Sequence, residues 1–285
     1  MGKEEIMKKI LLCSTAILCS TVFAVDTYNA SNNQLTIPSV NVGNTTYNNV
    51  VVTVGNIVSL GGSSVPNQSA EGLWTGATSN GYQVNLLVLE NNEYWTTVGQ
   101  QSGNNFLVSA FDNGGFIVNG ANASSYFKEY FPNYSTLLGY GTGTVVTNAL
   151  ISGTTYTGSN SGVKVTFTPL PNSNYNYNKQ ADINEIVGNW SGTFLNGYSS
   201  NVSISASGAI NGTVATCSFS GTLKPRASGK NVFDFSITNG AGCGVVGLVE
   251  SGIGITYITN TGKRQLLAAG VDGTKTIGDM FFAQR

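Results

Sequence analysis

The chain has 285 residues, of which only 9% are charged, with a formal net charge of −1 and no histidine. The missing histidine excludes Ser-His-Asp and Cys-His catalysis, histidine general bases and nearly all zinc or haem sites. No Lys or Arg occurs between Ile10 and Phe127, so the N-terminal half lacks the clustered cations with which a nucleic-acid binder displaces counterions.

Residues 1–24 combine a basic start (Lys3, Lys8, Lys9), an apolar run from Ile10 to Phe23, and small residues at Val22 and Ala24. That pattern is a secretory signal peptide, with Met7 as an alternative start. The run falls short of the ~20 residues that span a bilayer as a helix. No later stretch is longer, so the mature chain is expected to hold no transmembrane helix. Leu18 before Cys19 argues against lipoprotein processing. The expected destination is the periplasm, the outer surface or the medium. Cleavage leaves ten Lys and Arg against twelve Asp and Glu, and two of the four cysteines, Cys217 and Cys243. In an exported chain an isolated pair reads as one disulfide. Closing its loop of about 27 residues is worth roughly 3 kcal/mol on the chain-entropy account.

Residues 25–70 form an Asn/Ser-rich leader with two strand-like runs, "QLTIPSV" and "TTYNNVVVTVG". From residue 71 on, short apolar runs are interrupted by Gly, Asn or Ser every eight to twelve residues, which predicts an all-β chain. The spacing gives a first β unit over 71–170, a linker by composition over 171–180 ("PNSNYNYNKQ"), and a second β unit over 181–285. Only "ANASSYFKEYFPNY" reads as helical, with Phe127, Tyr130 and Phe131 on one side and Pro132 as its stop. Alternation is clearest in the second unit. Val202, Ile204 and Ala206 oppose Asn201, Ser203 and Ser205; Phe233, Phe235 and Ile237 oppose Asp234 and Ser236; Cys217, Phe219 and Leu223 oppose Ser218, Ser220, Thr222 and Lys224. One dry and one wet face per strand is the mark of antiparallel sheet around a core. Cys217 on a dry face suits a bridge between two strands.

A phrase occurs twice. Gly72-x-Trp74-Thr-Gly76-xxx-Asn80-Gly81-Tyr82 matches Gly188-x-Trp190-Ser-Gly192-xxx-Asn196-Gly197-Tyr198 at a shift of 116. Six of the eleven positions are identical, and they include two of the chain's three tryptophans. This is an internal duplication. Gly, Trp and Gly at alternate positions share one face of a strand, so a large ring stands between two positions without side chains. Asn-Gly then signals a tight hairpin.

The Gly-x-Trp on a first strand, the short hairpin and the further strands resemble the calycin superfamily of lipocalins and avidins. They also resemble the transferrin-binding-protein-like barrels of bacterial surfaces; "IVGNWSGT" followed by "VSISASGAINGT" is the closest stretch. The resemblance covers residues 71–170 and again 185–285, and it implies eight-stranded up-and-down barrels with Trp74 and Trp190 each plugging one end. The later lipocalin cations and the full avidin ligand set are absent, so no ligand identity follows. The leader "LTIPSVNVGNTTYNNVVVTVG" resembles a segment of exported proteobacterial proteins.

The expected fold class is therefore all-β, with two tandem antiparallel up-and-down β-barrel-like units after a short β leader. Trp74, Tyr82, Trp190 and Tyr198 are the candidate ligand-binding residues, against a simpler role as packing. Glu90 and Glu93 bracket Asn91-Asn92. Facing across a hairpin they would stand about 4.5–5.5 Å apart at Cβ, a spacing compatible with glycosidase chemistry or Ca²⁺; an exposed tip makes solvated charges the default. Lys224, Arg226 and Lys230 in "LKPRASGK" read as a solvated loop. No catalytic set, metal site or cofactor is expected. The expected function is an exported non-enzymatic binding protein for a surface macromolecule or a small apolar ligand. A structural or adhesive module without a pocket is the alternative, and a histidine-independent hydrolase the less favoured one.

Overall fold

The computed structural model describes residues 27–29, 34–42, 45–53, 68–102, 105–158, 162–259 and 261–285. The expected signal peptide lies outside the described residues. In the leader, β1 (Thr27–Asn29), β2 (Gln34–Val42) and β3 (Thr45–Thr53) form an antiparallel sheet in the order β1-β2-β3. The two strand-like runs of the sequence are β2 and β3.

The rest is two closed barrels of eight antiparallel strands each, the number the calycin resemblance implied. The first contains β4 (Gly72–Thr78), β5 (Gln83–Val88), β6 (Glu93–Ser102), β7 (Asn105–Asn119), β8 (Asn122–Tyr130), β9 (Thr136–Val146), β10 (Leu150–Thr157) and β11 (Val163–Pro169). Each strand pairs with the next, and β11 returns to β4. The second contains β12 (Gly188–Phe194), β13 (Ser199–Ile204), β14 (Ala209–Val214), β15 (Cys217–Pro225), β16 (Phe233–Asn239), β17 (Val249–Ile258), β18 (Arg264–Asp272) and β19 (Gly278–Gln284), closed by β12 against β19. A 3₁₀ turn, Ile183–Glu185, leads into it.

The expected helix is instead β8. Ala123, Phe127 and Glu129 belong to the inward set, while Tyr126, Lys128 and Tyr130 belong to the outward set, so Phe127 and Tyr130 do not share a face. Ladders to β7 and to β9 run along its whole length. Its Tyr and Phe suit a pleated surface, and pairing on both edges outweighs a weak local preference.

The glycines of the duplicated phrase have geometric causes. Gly72 and Gly188 enter their strands at φ +128° and +120°, backbone that favours glycine. A Cβ on Gly76 would lie 2.0 Å from the Thr166 carbonyl oxygen of β11, and one on Gly192 would lie 2.3 Å from that of Phe282 in β19. These are the strands that close each barrel, so Gly76 and Gly192 permit the seam. Gly81 ends a three-residue loop rather than a two-residue one: its N–H bonds Thr78 O, and Thr78 N–H bonds Tyr82 O.

Each barrel encloses its own core. Trp74, Leu86, Val88, Tyr94, Phe116 and Phe127 lie in the first; Trp190, Ile204, Phe219, Leu223, Phe233 and Phe281 lie in the second. A third core forms between the barrels. Leu73, Leu87, Trp95 and Phe111 of the first meet Leu195, Ile253, Leu267, Val271 and Met280 of the second, together with Tyr175 and Tyr177. The segment 171–180 is linker-like in composition but packed in place. The Tyr175 hydroxyl donates to Asn231 O, and the Tyr177 hydroxyl to Glu90 Oε2 at 3.1 Å.

Cys217 and Cys243 are bonded. Cys217 opens β15, whereas Cys243 lies in the loop between β16 and β17. The bridge thus staples a loop to a strand end and does not join two strands as the dry-face argument predicted.

Candidate functional site

Trp74 and Trp190 hold the same position in their barrels. Trp74 is 1% exposed and Trp190 is fully buried. Each indole N–H donates to the carbonyl four residues earlier, Ala70 O and Ile186 O, both at 2.7 Å. In the second barrel the Arg285 guanidinium sits 4.1 Å over the Trp190 ring. Both indole N–H groups are satisfied within the barrels, and neither ring is among the residues lining the cavities of the two barrels.

Beyond the tryptophans the two barrels diverge. The first holds a cavity of about 300 Å³, at the small end of the ~300–1,000 Å³ typical of ligand pockets. The second holds about 50 Å³. The duplicated phrase itself carries one cause: position 78 is Thr in the first barrel, and its counterpart 194 is Phe in the second. Phe194 packs against Phe219 and Phe281 at 5.7 and 5.2 Å between ring centroids. Thr78 leaves that volume open and lines the cavity instead.

The walls of the larger cavity are mostly apolar, including Val84, Leu86, Phe116, Phe127, Ile151 and Val165. Tyr94 stands edge-on to Phe116 and Phe127, at 6.0 and 6.3 Å. Into this lining project two carboxylates, Asp112 from β7 and Glu129 from β8. They are directly opposed in the β7–β8 ladder, which puts their Cβ atoms about 4.5–5.5 Å apart. Asp112 is 8% exposed. Its Oδ2 accepts from the Thr96 hydroxyl at 2.6 Å, while its Oδ1 is buried with no partner. Burial, and then repulsion from Glu129, lift Asp112 to about 8 despite the Thr96 bond. Burial also raises Glu129, against a hydrogen bond from Thr157. No Lys or Arg is among the described residues lining the cavity.

The second barrel repeats the theme at smaller scale. Glu250 and Asp279 line its residual space. Burial, with repulsion from Asp279 and Asp272, lifts Glu250 to about 7. Asp279 rises to about 6 through burial, although it accepts from the backbone N–H groups of Met280 and Leu195 at 2.8 and 3.2 Å.

Of the aromatic candidates named from sequence, Tyr82 lines the first cavity. Tyr198 is 59% exposed on the surface of the second barrel. Glu90 and Glu93 do not face each other. Leu89 N–H bonds Glu93 O, so Glu90 belongs to the turn. Glu93 accepts from Asn113 Nδ2 at 3.0 Å. Glu90 accepts from Arg226 Nε at 2.8 Å, across the boundary between the barrels. Burial alone would raise Glu90, but Arg226 and hydrogen bonds including one from Ser228 bring it down to about 2. The "LKPRASGK" loop is therefore a clamp and not a solvated tip. Arg226 also bonds Asp234 at 2.6 Å, and Lys230 pairs with Glu71 at 3.2 Å and lies 4.8 Å over the Tyr177 ring. Among the described residues no group of three or more His, Cys, Asp or Glu could hold a metal. No helix there is long and apolar enough to cross a membrane.

Sequence reasoning missed Asp112 and Glu129. The signal was available in "SAFDNGGF", where Ala110, Asp112, Gly114 and Phe116 share a face, so an acid stands on an otherwise apolar side. Reading residues 121–134 as a helix hid the matching position of Glu129.

No family model and no curated protein matches the chain. Among solved structures it is similar to the vaccine antigen Transferrin Binding Protein B from Haemophilus parasuis Hp5, a tryptophan-to-alanine mutant. The identity is 9%, over 71% of this chain and 66% of that one, with a TM-score of 0.25. The chain thus spans just under two thirds of that protein's length.

Proposed function

We propose that this is an exported, non-enzymatic binding protein whose first barrel takes a small ligand with an apolar body. The observation that carries the reading is the contrast between two copies of one barrel. One is filled by Phe194 and its ring partners, and the other is left open by about 300 Å³ behind Thr78. Packed interiors rarely leave large voids, so an opening of this size, lined by apolar side chains together with hydroxyls and two carboxylates, fits a ligand site. The filled barrel supports a structural role for the second unit, which packs against the first through a shared core. Export is supported by the signal-peptide pattern of residues 1–24 and by the Cys217–Cys243 bond, since disulfides persist in oxidising compartments.

The test uses the copy as its own control. N-phenyl-1-naphthylamine, which fluoresces in apolar surroundings, is expected to bind the protein saturably. Thr78→Phe, which places the second barrel's filler in the first, is expected to weaken that binding at least tenfold while the far-ultraviolet circular dichroism stays unchanged. No saturable binding by the native protein, or undiminished binding by a folded Thr78→Phe, would sink the reading.

A further inference from the structure

The acids in the first barrel ask for a partner that the protein itself does not supply. A buried carboxylate oxygen without a hydrogen bond is costly, on the order of 1–3 kcal/mol and more when charged. Buried charges are ordinarily paired or bound to metal. Asp112 Oδ1 has neither, and it lies in the wall of the first barrel's cavity beside a second carboxylate, Glu129. The titratable groups lining that cavity are Asp112 of β7, Glu129 of β8, Tyr94 of β6 and Tyr82 of the β4–β5 hairpin, with no cation among them.

Resting on the reading of this cavity as a ligand site, we propose that its ligand is an organic ammonium, its cationic head seated between Asp112 and Glu129 and its apolar body against the Phe116, Phe127 and Ile151 side. An ammonium brings three N–H donors and one positive charge, which meets an unpartnered oxygen and two opposed carboxylates. The aromatic rings beside the acids add a favourable field for a cation. A calcium ion would need six to eight oxygen ligands, carboxylates foremost, and among the described residues no group of three or more His, Cys, Asp or Glu could hold a metal. Burial and the neighbouring Glu129 favour the protonated form of Asp112. A bound ammonium favours the carboxylate form, so proton is released to solvent as the cation enters, and affinity rises with pH.

Isothermal titration of the full protein with three molecules of one shape tests this: 2-phenylethylammonium, 2-phenylethanol and phenylacetate. The ammonium is expected to bind at least tenfold tighter than the alcohol, and phenylacetate weakest. Runs in two buffers of different ionisation enthalpy are expected to show proton release. Asp112→Asn should reduce the ammonium-to-alcohol preference below twofold, with Glu129→Gln as the second variant should the first not fold. Equal binding of ammonium and alcohol overturns the ammonium assignment and leaves the cavity reading standing. No binding of any of the three overturns both. Saturable binding of calcium chloride, lost in Asp112→Asn and without a preference for the ammonium, overturns the proposal in favour of a metal.

Discussion

Thr78 and Phe194 occupy one place in a duplicated phrase, and that difference contributes to leaving the first barrel open where the second is filled. Removing the Phe194 ring should cost the second barrel stability through lost contacts and a void. Phe194→Ala is expected to lower unfolding free energy by about 2–4 kcal/mol, somewhat below the range for wholly buried rings because Phe194 is only partly buried. A urea midpoint unchanged from the native protein would show that Phe194 is not the filler. The seam glycines give a second residue-scale expectation. Gly76→Ala puts a methyl 2.0 Å from the Thr166 carbonyl oxygen, so β4 and β11 must separate, at about 1–3 kcal/mol by analogy with overpacked cores. Urea denaturation decides it, and a neutral outcome would mean that the seam is looser than its geometry.

At the scale of elements, two of the strands that meet between the barrels, β5 and β18, are largely apolar on both faces. Leu86 of β5 points into the first barrel, while Leu87 faces the second. In β18, Leu266 points into the second barrel and Leu267 faces the first. Strands buried on both faces lose the alternation of half-exposed ones and read as continuous apolar runs. "NLLVL" and "QLLAAGV" are such runs. The turn between β18 and β19 reinforces the contact. Lys275 there adopts φ +55°, its carbonyl accepts from Lys128 Nζ and the Tyr130 hydroxyl at 2.7 and 3.0 Å, and its Nζ donates to Asn113. The β15–β16 loop clamps the same boundary through Arg226. Arg226→Met leaves Glu90 and Asp234 without their shared cation. The expected loss is about 2 kcal/mol, typical of hydrogen bonds to charged groups. Chemical denaturation at pH 7 measures it, and an unchanged midpoint would reduce the clamp to a bystander.

For the whole molecule, the interior acids predict how stability runs with pH. Asp112, Glu250 and Asp279 rise from 3.8, 4.5 and 3.8 to about 8, 7 and 6 on folding. Between the ordinary and folded values the native state binds more protons than the unfolded chain, so stability falls as pH rises from about 4 to about 8. Glu90 and Asp272 run the other way. Both fall to about 2, and the stability they add is complete above about pH 4.5 and lost as pH drops towards 2. The melting temperature is therefore expected to peak near pH 4–5 and to decline towards pH 8. Asp112→Asn should flatten the decline between pH 7 and 8. A melting temperature that climbs steadily from pH 4 to 8 would contradict the buried-acid assignment. Because the barrels share a core, calorimetry at the optimum should show one cooperative transition.

The sequence by itself was enough for the strands of period two, the duplicated barrel opening, the buried tryptophans and the Cys217–Cys243 pair. These are local signals: alternation, turn residues and rare residue types repeat wherever the chain does the same thing. It was not enough for β8, because Phe127, Tyr130 and Phe131 fit a helical spacing as well as a strand, and only pairing with β7 and β9 decides between them. Nor could it place Glu90 against Arg226, 136 residues away. Alternation tells which residues share a face, but not whether that face lines a hollow, a packed interior or a neighbouring barrel. Barrel closure decides that, since it joins the first strand to the eighth: the β7–β8 ladder opposes Asp112 and Glu129, and closure encloses them in a cavity.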